Sequence, residues 1–464
     1  MSIACMPFVF ATAGKSNFIT LFTGVSHERL QVFHRWISDA MYILALLHTF
    51  PFIINNIRYG EMVMSWNTSI FYWTGVVALL AQTWLTFASI GPLRSLAYEW
   101  FKYTHFLAGL VFMLFLFFHC DYTLTSWDYF IGTGAIFALT WLHRRGRSFF
   151  EHGVGLTATV NVAPGGFVRL AVPTSSRWRV DQHYFIRFLS LGVHALTSHP
   201  FTACSLPSQR VGHEGSKNEL VFYIRPRGGI TARLANYAEK HPNGTLRILL
   251  DGPYGGVDMQ KLAQAQKLLV IAGGSGAGWV LPLLIAYLRR LEMSDEKAPS
   301  MRIILATRDA ATRYWFEEAV ADVIKSTCSQ GRTPSSLEVQ IYHTSGGNEL
   351  TAAETTSRPA SDLEKDLEKA PADPPTEVQL KSGLEFDYVS SGSSCQSRDG
   401  RPDVASLIAA EAAATDSHGL LGVYVCGPLS MQNDCANAVA EQQLAIVQGA
   451  KRNVYLHMEH FSWA

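Results

Sequence analysis

Apolar side chains dominate four stretches in the first third of the chain. A bilayer core about 30 Å thick is crossed by about 20 apolar helical residues. Between Met62 and Leu93 there is no Asp, Glu, Lys or Arg. We therefore predict four transmembrane helices and a non-membrane remainder after Arg144. The predicted spans are Phe33–Ile54, Ile70–Ile90, Tyr98–His119 and Tyr129–His143.

The pattern changes twice after the membrane helices. Residues 155–258 carry short alternating or β-branched runs broken by Gly and Pro, typical of a small antiparallel barrel or sandwich. From Lys267 onwards continuous apolar strands are followed by helices, as in Leu268–Ala272 before Trp279–Leu291. This pattern indicates an α/β unit with a mostly parallel sheet. The predicted domains are therefore 1–146, 150–258 and 265–464.

A third kind of sequence interrupts the α/β unit between residues 346 and 418. It holds 14 acidic and 6 basic residues, much Ala, Ser, Pro and Thr, and almost no aromatic residues. Such a composition cannot bury enough apolar surface to form a core. We predict a disordered acidic insertion, with a weak helix as an alternative at Leu363–Ala370 or Val404–Ala414.

Composition and charge support a membrane protein. The 464 residues hold 38 basic and 38 acidic side chains, so bulk positive charge does not favour nucleic-acid binding. Only 16% of the residues are charged, against about 25% in an average soluble domain. By the positive-inside rule, the basic residues that flank the spans place the following domains in the cytosol. These residues are Lys15, Arg29, Arg35, Arg94, Lys102, Arg144, Arg145 and Arg147.

Histidines repeat at one spacing in two of the predicted spans. His34 and His48 are 14 residues apart, and so are His105 and His119. Fourteen residues make about 3.9 helical turns and about 21 Å, so each pair occupies nearly one face at two depths. One imidazole from each helix at each depth is the ligand set of a haem with two axial histidines. We predict two haems, although any one of these histidines alone could be a packing residue.

Two segments of the predicted barrel carry polar residues suited to a flavin. His199, Pro200, Phe201 and Thr202 follow a strand, and Arg225 to Thr231 precede a predicted helix. A helix N-terminus beside Gly228, Gly229 and an arginine suits a pyrophosphate. The hydroxyl of Thr231 or Thr202 could face polar atoms of the cofactor. An ordinary proline turn and a glycine-rich loop remain the alternative.

The α/β unit carries a glycine-rich turn between strand and helix. It reads Gly273, Gly274, Ser275, Gly276, Ala277 and Gly278, where backbone N–H groups can approach a phosphate. Thr307 and Arg308 end the next strand, where they would suit a ribose 2′-phosphate; a solvated strand-end charge is the alternative for Arg308. Cys426, Gly427 and Pro428 end a later strand at the carboxyl edge, where such sheets bind ligands.

Taken together, these motifs resemble the fungal ferric reductase transmembrane family, which is related to the NADPH oxidases. The resemblance rests on the two His-containing helices, His199–Thr202, Asp251–Gly255, Gly273–Gly278, Cys426–Pro428 and the terminal Glu459–Trp463. It implies a helical transmembrane haem domain, then a ferredoxin-reductase-like FAD-binding β-barrel and an α/β NADPH-binding domain. Family members usually carry further spans before the position of Ile3, so we expect a shortened membrane domain here.

The resemblance also implies the cofactors and several residue roles. His199–Thr202 would contact FAD, and Arg225, Gly228, Gly229 and Thr231 would lie near its pyrophosphate. Gly273–Gly278 would bind NADPH, and Cys426 would lie beside the nicotinamide with Trp463 covering the flavin ring. The cofactors would be FAD, NADPH and two b-type haems.

The expected function is a metalloreductase. Electrons from cytosolic NADPH would pass through FAD and two haems to ferric or cupric chelates outside, at the plasma membrane or a vacuolar membrane. An iron permease or oxidase would act downstream. A superoxide-producing NADPH oxidase and a truncated non-catalytic paralogue are the alternatives.

Overall fold

The computed structural model describes residues 2–96, 98–192, 197–208, 218–293, 299–328, 334–344, 395–416, 419–449 and 453–459. Two compact units divide the chain, Met1–Gly155 and Leu156–Glu459. The first is helical. Its helices are α1 Met6–Ala13, α2 Phe18–Thr23, α3 His27–Arg58, α4 Met62–Thr68, α5 Ile70–Phe87, α6 Gly91–Leu96, α7 Tyr98–Cys120 and α8 Ser126–His152.

Three of these helices are long and apolar enough to cross a membrane. They are α3, α5 and residues Trp100–Cys120 of α7, and they coincide with three of the four predicted spans. The fourth predicted span lies in α8, which carries Arg144, Arg145 and Arg147 in its last part and does not qualify on the same measure. Many large apolar side chains of this unit, such as Leu110 and Phe106, are exposed. Such surfaces suit lipid rather than water.

A short apolar helix completes the core of the helical unit. Helix α1 packs against both α3 and α8. Met6 of α1, Met41 of α3 and Phe112 of α7 are buried in one cluster. The apolar run Ile3–Ala13, too short to span a membrane, therefore serves as a packing element of this unit.

The second unit begins with a six-stranded antiparallel sheet. Its strands pair in the order β4-β3-β6-β1-β2-β5, and helix α9, Gly229–Lys240, packs Ile230, Leu234 and Ala238 into its core. Alternating burial along β1 and β6 matches the period of two that the sequence shows. The strands are β1 Leu156–Ala163, β2 Phe167–Thr174, β3 Gln182–Phe188, β4 His199–Thr202, β5 Asn218–Ile224 and β6 Gly244–Gly255.

A parallel sheet with helices follows. Its strands run in the order β10-β9-β8-β7-β11-β12, and every neighbouring pair is parallel. The strands are β7 Lys267–Gly273, β8 Ser300–Thr307, β9 Leu337–His343, β10 Cys395–Asp399, β11 Leu420–Cys426 and β12 Asn453–Glu459. The helices are α10 Met259–Gln264, α11 Ala277–Met293, α12 Ala310–Thr327, α13 Val404–Ala413 and α14 Leu429–Val447. The strand order reverses at β7, so a ligand crevice is expected between β7 and β11.

The prediction of disorder for residues 346–418 is wrong at the C-terminal end of that segment. Cys395–Asp399 form β10, which pairs in register with β9. Val404, Ile408 and Ala412 of α13 are buried in the core of the parallel sheet. Their three- to four-residue spacing places them on one face of the helix, so the alternative helix at Val404–Ala414 is confirmed there. Residues 345–394, including the alternative helix at Leu363–Ala370, lie outside the described residues.

An aromatic cluster joins the two sheets within the second unit. Trp315 of α12 is 1% exposed and stacks on Phe167 of β2 with ring centroids 4.4 Å apart. Tyr223 of β5 lies 5.1 Å from the same indole ring. Offset aromatic pairs of this kind add stability beyond the area they bury. The antiparallel and parallel sheets are therefore held in one fixed arrangement.

Candidate functional site

The four predicted haem ligands lie on α3 and α7 of the helical unit. His48 and His119 approach each other, with ring centroids 6.1 Å apart. His34 and His105 are near enough to interact electrostatically. The structure therefore brings histidines of α3 and α7 towards one another, and their role as haem ligands stays a prediction.

Three of the four imidazoles have their Nδ1 atoms engaged by acceptors. His34 Nδ1 lies 2.9 Å from the carbonyl oxygen of Val9, and His119 Nδ1 lies 2.7 Å from that of Phe71. His105 Nδ1 lies 3.5 Å from the Ser89 hydroxyl, which itself donates to Leu85 O. Because a carbonyl oxygen can only accept, Nδ1 of His34 and His119 must carry a proton. Their Nε2 atoms keep a lone pair, the arrangement usual in metal-bound histidines.

The spacing of the outer pair suits a shared metal. An imidazole nitrogen lies about 2 Å from a bound metal, and the ring centre about 1 Å farther. The ring centres of His48 and His119 are 6.1 Å apart, a separation at which both imidazoles could hold one metal ion. The residues present fit a haem with two axial histidines.

A glycine of α5 accommodates the ring of His119. A Cβ atom added to Gly75 would lie 2.5 Å from His119 Nδ1 and 2.7 Å from its Cε1. No side chain fits at that distance, so only glycine lets α5 pass the ring while Phe71 O accepts its hydrogen bond. Gly75 was not predicted from the sequence, because it stands in an apolar helix without a local signal.

The predicted flavin strand lies at an edge of the antiparallel sheet. Strand β4, which is His199–Thr202, pairs with β3 and occupies the end of the strand order. All four side chains are half-buried. His199 Nε2 lies 2.9 Å from the Thr197 hydroxyl, and Thr202 is the register partner of His183. This edge offers both side chains and backbone to a planar ligand.

The loop Arg225–Thr231 forms the N-terminus of α9. The Thr231 hydroxyl donates to Gly228 O at 2.9 Å and accepts from the amides of Arg227 and Gly228. Gly229 has φ +53°, a conformation that favours glycine. The loop is therefore shaped by its own hydrogen bonds, and the start of α9 remains suited to an anion.

Arg225 is held by an acidic residue of the parallel sheet domain. Its guanidinium lies 3.0 Å from the Asp309 carboxylate, which also accepts from Thr312 N at the start of α12. Burial raises the pKa of Asp309, but hydrogen bonds from Thr312 and the charge of Arg225 outweigh burial and lower it overall. Arg225, predicted to lie near the pyrophosphate, is thus bonded to Asp309, the residue next to Arg308.

The glycine-rich turn and the Cys426 turn lie side by side at the point where the strand order reverses. Register pairs Ala272 of β7 with Cys426 of β11. A Cβ at Gly276 would stand 2.5 Å from Cys426 O, and a Cβ at Gly273 would stand 2.6 Å from Pro428 Cδ. Gly274 has φ +52° and faces open space, and Ser275 is exposed. Gly273 and Gly276 therefore allow the two turns to pack closely. Gly274 leaves the backbone of the turn open to a ligand.

The thiol of Cys426 is buried and neutral. The residue is 0% exposed. Burial, together with the charges of Asp181 and Glu459, raises its pKa well above the ordinary value. Cys426 therefore does not supply a thiolate at this edge of the sheet.

Of Thr307 and Arg308, which are predicted to bind the ribose 2′-phosphate, only Arg308 is exposed, and the nearby Arg313 could share that contact. Thr307 is 2% exposed, and its hydroxyl accepts from the amide of Asp309 at 3.1 Å. Arg313 donates to Glu317 at 2.9 Å on α12. Thr307 therefore shapes the turn that presents Arg308. Trp463 lies outside the described residues.

A buried polar cluster beside the Cys426 turn was not predicted from the sequence. Asp181, His457 and Glu459 each offer a ligand-type atom within 4.8 Å of the others, and Trp279 donates its indole N–H to Asp181 Oδ1. Two of these residues lie on β12, and Asp181, which precedes β3, is 276 positions from His457. Only tertiary structure could bring them together.

Gln432 is a further residue without a signal in the sequence. Its amide donates to Gly427 O at 2.8 Å and to Glu459 O at 3.0 Å. The side chain is 3% exposed and joins the Cys426 turn to the end of β12. It fixes the spacing between two elements that line the crevice.

Comparison with known proteins identifies the domains. Residues 1–116 match the family described as "Ferric reductase like transmembrane component", residues 153–258 match "FAD-binding domain", and residues 265–440 match "Ferric reductase NAD binding domain". These matches follow the order in which the helical unit and the two sheets occur along the chain.

Curated fungal proteins resemble the chain. One is the "Probable cell surface ferric reductase kap2" of Aspergillus oryzae, 30% identical over 68% of this chain and 44% of its own length. Another is a "Probable ferric reductase transmembrane component" of Candida albicans, 24% identical over 99% of this chain and 63% of its own length. "Ferric/cupric reductase transmembrane component 7" of Saccharomyces cerevisiae is 28% identical over 62% of this chain and 46% of its own length.

The chain thus spans about half the length of the curated relatives that it matches. The three domain matches, their order and the shared fungal relatives agree with one another. The chain therefore combines a ferric-reductase-like transmembrane component, a FAD-binding domain and a ferric reductase NAD-binding domain.

Proposed function

We propose that the protein is a transmembrane metalloreductase that moves electrons from cytosolic NADPH to ferric or cupric chelates on the other side of the membrane. The observation that carries the proposal is the pairing of histidines at two levels, with Nδ1 of His34 and His119 bonded to carbonyl oxygens. Packing alone has no need for two such pairs, since ionisable side chains within a membrane are costly.

One set of residues binds the nicotinamide nucleotide and another set binds the flavin. In the second unit the open edge of Gly273–Gly278 binds NADPH phosphates, and Arg308 binds the 2′-phosphate. Arg225 and the start of α9 bind the flavin pyrophosphate, and His199–Thr202 line the flavin ring, with Trp463 as its cover. Cys426, Gly427 and Pro428 place the nicotinamide beside that ring.

FAD and two b-type haems supply the electron chemistry, because nicotinamide gives two electrons as hydride while haem iron accepts one. His34 and His105 hold the inner haem, and His48 and His119 hold the outer one. The Nδ1 hydrogen bonds of His34, His105 and His119 fix the ring orientation and leave Nε2 for iron. The basic flanks of the spans favour a cytosolic position for the nucleotide domains.

The metal chelate is the substrate, and its reduction precedes uptake. We propose the plasma membrane as the location and a permease or oxidase that handles the reduced metal as the downstream partner. The relatives named as ferric or cupric reductases support a metal acceptor over oxygen.

Absorbance of the purified full chain in detergent or lipid nanodiscs tests this function. Haem and flavin bands that are both reduced on addition of NADPH, followed by Fe3+ reduction without superoxide, are expected. Superoxide as the main product would identify an NADPH oxidase. Absence of haem bands or of NADPH-dependent reduction would identify a non-catalytic chain.

A further inference from the structure

A buried acid–imidazole pair lies between the elements assigned to the flavin and to the nicotinamide. Asp181 Oδ2 lies 2.8 Å from His457 Nε2, and the two side chains are 1% and 14% exposed. The second carboxylate oxygen of Asp181 accepts the indole N–H of Trp279. Both oxygens of this carboxylate are therefore bonded, and the pair is shielded from water.

Strand register places this pair beside the Cys426 turn and next to the proposed flavin strand. Asp181 stands two residues before His183, the partner of Thr202 on the proposed flavin strand. His457 pairs with Tyr424 on β11, two residues before Cys426, and Glu459 pairs with Cys426 itself. The pair thus links the strand assigned to the flavin with the turn assigned to the nicotinamide.

The backbone at Asp181 is unusual for this residue type. Its φ of +64° lies in the left-handed region, which is most easily adopted by glycine. A carboxylate is kept there although it is buried and although the conformation is costly for a side chain. Residues held in such conformations cluster at functional sites.

The groups facing the pair come from three strands and one helix. Glu459 on β12 and His183 on β3 lie 3.9 Å apart, at 17% and 10% exposure. Cys426 and Tyr424 face the pair from β11, and burial raises the pKa of both, so both stay neutral. Trp279 on α11 carries no titratable proton. Two carboxyl groups and the imidazole of His457 therefore share one poorly solvated space.

We propose that Asp181 and His457 form a proton-holding site coupled to the flavin, which takes up one proton when the flavin is reduced and releases it when the electrons leave. This inference rests on the proposed function. In hydride transfer a nicotinamide C–H bond breaks and a flavin N–H bond forms, so NADPH and FAD become NADP+ and FADH−. The additional proton comes from water and stays on the pair.

Electrostatics supplies the coupling. Charges interact far more strongly in a poorly solvated interior than in water. A negative charge on the reduced flavin therefore disfavours an ionised carboxylate nearby and favours imidazolium over imidazole. Burial already raises the pKa of Asp181 well above its ordinary value, in the same direction as a nearby negative charge would.

The reduction potential of the flavin, measured at several pH values on the full chain, tests the inference. Each proton taken up with two electrons changes the reduction equilibrium tenfold per pH unit, or about 30 mV. In Asp181→Asn and in His457→Gln, the reduction equilibrium of the flavin should change tenfold less per pH unit than in the parent. This difference should appear at neutral and alkaline pH. Asn keeps an oxygen for Trp279 and has nearly the same size as Asp.

A matched control is Glu411→Gln. Glu411 is also a partly buried acid of the parallel sheet domain, bonded to Lys267 and Arg302, and it should keep the parent's pH dependence. Asp181→Gly, which suits φ +64°, gives a second measurement if the Asn variant does not fold.

Unchanged pH dependence in Asp181→Asn or Asp181→Gly would overturn the inference. Loss of the dependence only in Glu459→Gln would also overturn it, because the proton would then belong to Glu459. The parent's flavin absorbance and its bleaching by NADPH separately report the proposed function. A chain that binds no flavin would refute that function and this inference together.

Discussion

Gly75 and His119 show how one residue position can fix the orientation of a proposed haem ligand. A Cβ at Gly75 would lie 2.5 Å from His119 Nδ1. The ring can therefore keep its orientation only because Gly75 has no side chain. The same ring is held by its hydrogen bond to Phe71 O. The orientation of His119 therefore depends on a backbone carbonyl oxygen and on a glycine that leaves room for the ring.

Gly75→Ala tests this contact. The methyl group should displace the imidazole of His119 and break its hydrogen bond to Phe71 O, so the outer haem should be lost. The reduced-minus-oxidised haem absorbance per protein should fall by about half. Gly109→Ala on α7 is the matched control, since a Cβ there meets nothing within 4 Å. Equal haem content in the two variants would contradict the assigned role of Gly75.

Arg308 is the residue on which cofactor preference should depend. A hydrogen bond to a charged group contributes about 1.5–3 kcal/mol, and about 1.4 kcal/mol corresponds to a factor of ten. Arg308→Ala should therefore weaken NADPH binding about 10- to 100-fold and barely change NADH binding.

Equilibrium titration of both nucleotides measures this effect. Arg313→Ala is the control, because its guanidinium is engaged by Glu317. If Arg308→Ala binds NADPH as tightly as the parent, the double variant with Arg313→Ala decides whether either arginine reads the 2′-phosphate.

At the scale of elements, β10 and α13 complete the parallel sheet after the acidic segment. Strand β10 pairs with β9, and α13 buries Ile408 at 0% exposure among residues of β11 and α14. Parallel neighbours need a crossover of about a dozen residues or more between them.

Two deletions distinguish the acidic segment from these elements. Removal of residues 348–416 should abolish folding of the NAD-binding domain, because it takes away β10 and the buried face of α13. Removal of residues 348–393 with a Gly/Ser linker of about 15 residues should leave FAD and NADPH binding within about twofold of the parent. Thermal unfolding and nucleotide titration measure both variants. A stable longer deletion would contradict the role of β10 and α13.

At the scale of the whole molecule, each of the two units holds one set of the proposed site residues. The proposed haem ligands all lie within Met1–Gly155, and the nucleotide-binding residues proposed within the described part of the chain lie in Leu156–Glu459. Each unit has its own buried cluster. Damage to the outer haem ligands should therefore leave flavin chemistry intact.

His48→Ala and His119→Ala test this separation. Each should remove the outer haem and abolish metal reduction, while NADPH-dependent reduction of a soluble dye by the flavin should stay within about twofold of the parent. His143→Ala is the control, since His143 contacts the Ser16 hydroxyl and is not a proposed ligand. A full two-haem spectrum in both ligand variants would show that the ligands are wrongly assigned.

The sequence alone determined the features that have a linear period or a local signature. Helices α3, α5 and α7 follow from uninterrupted apolar runs, and the histidine spacing of 14 residues follows from the helical repeat. The glycine-rich turn is local too, because strand, glycines and helix adjoin along the chain. The scarcity of charged side chains in the first third is also a linear property, and by itself it indicates a membrane environment.

Tertiary structure decided what depends on distant contacts. Composition favoured disorder for β10 and α13, yet pairing with β9 and burial against β11 supply stability that neither segment has alone. Asp181 and His457 are in contact although they are 276 positions apart, and Gly75 of α5 packs directly against His119 of α7. No local pattern marks such residues, because their partners are chosen by strand register and helix packing rather than by neighbours in sequence.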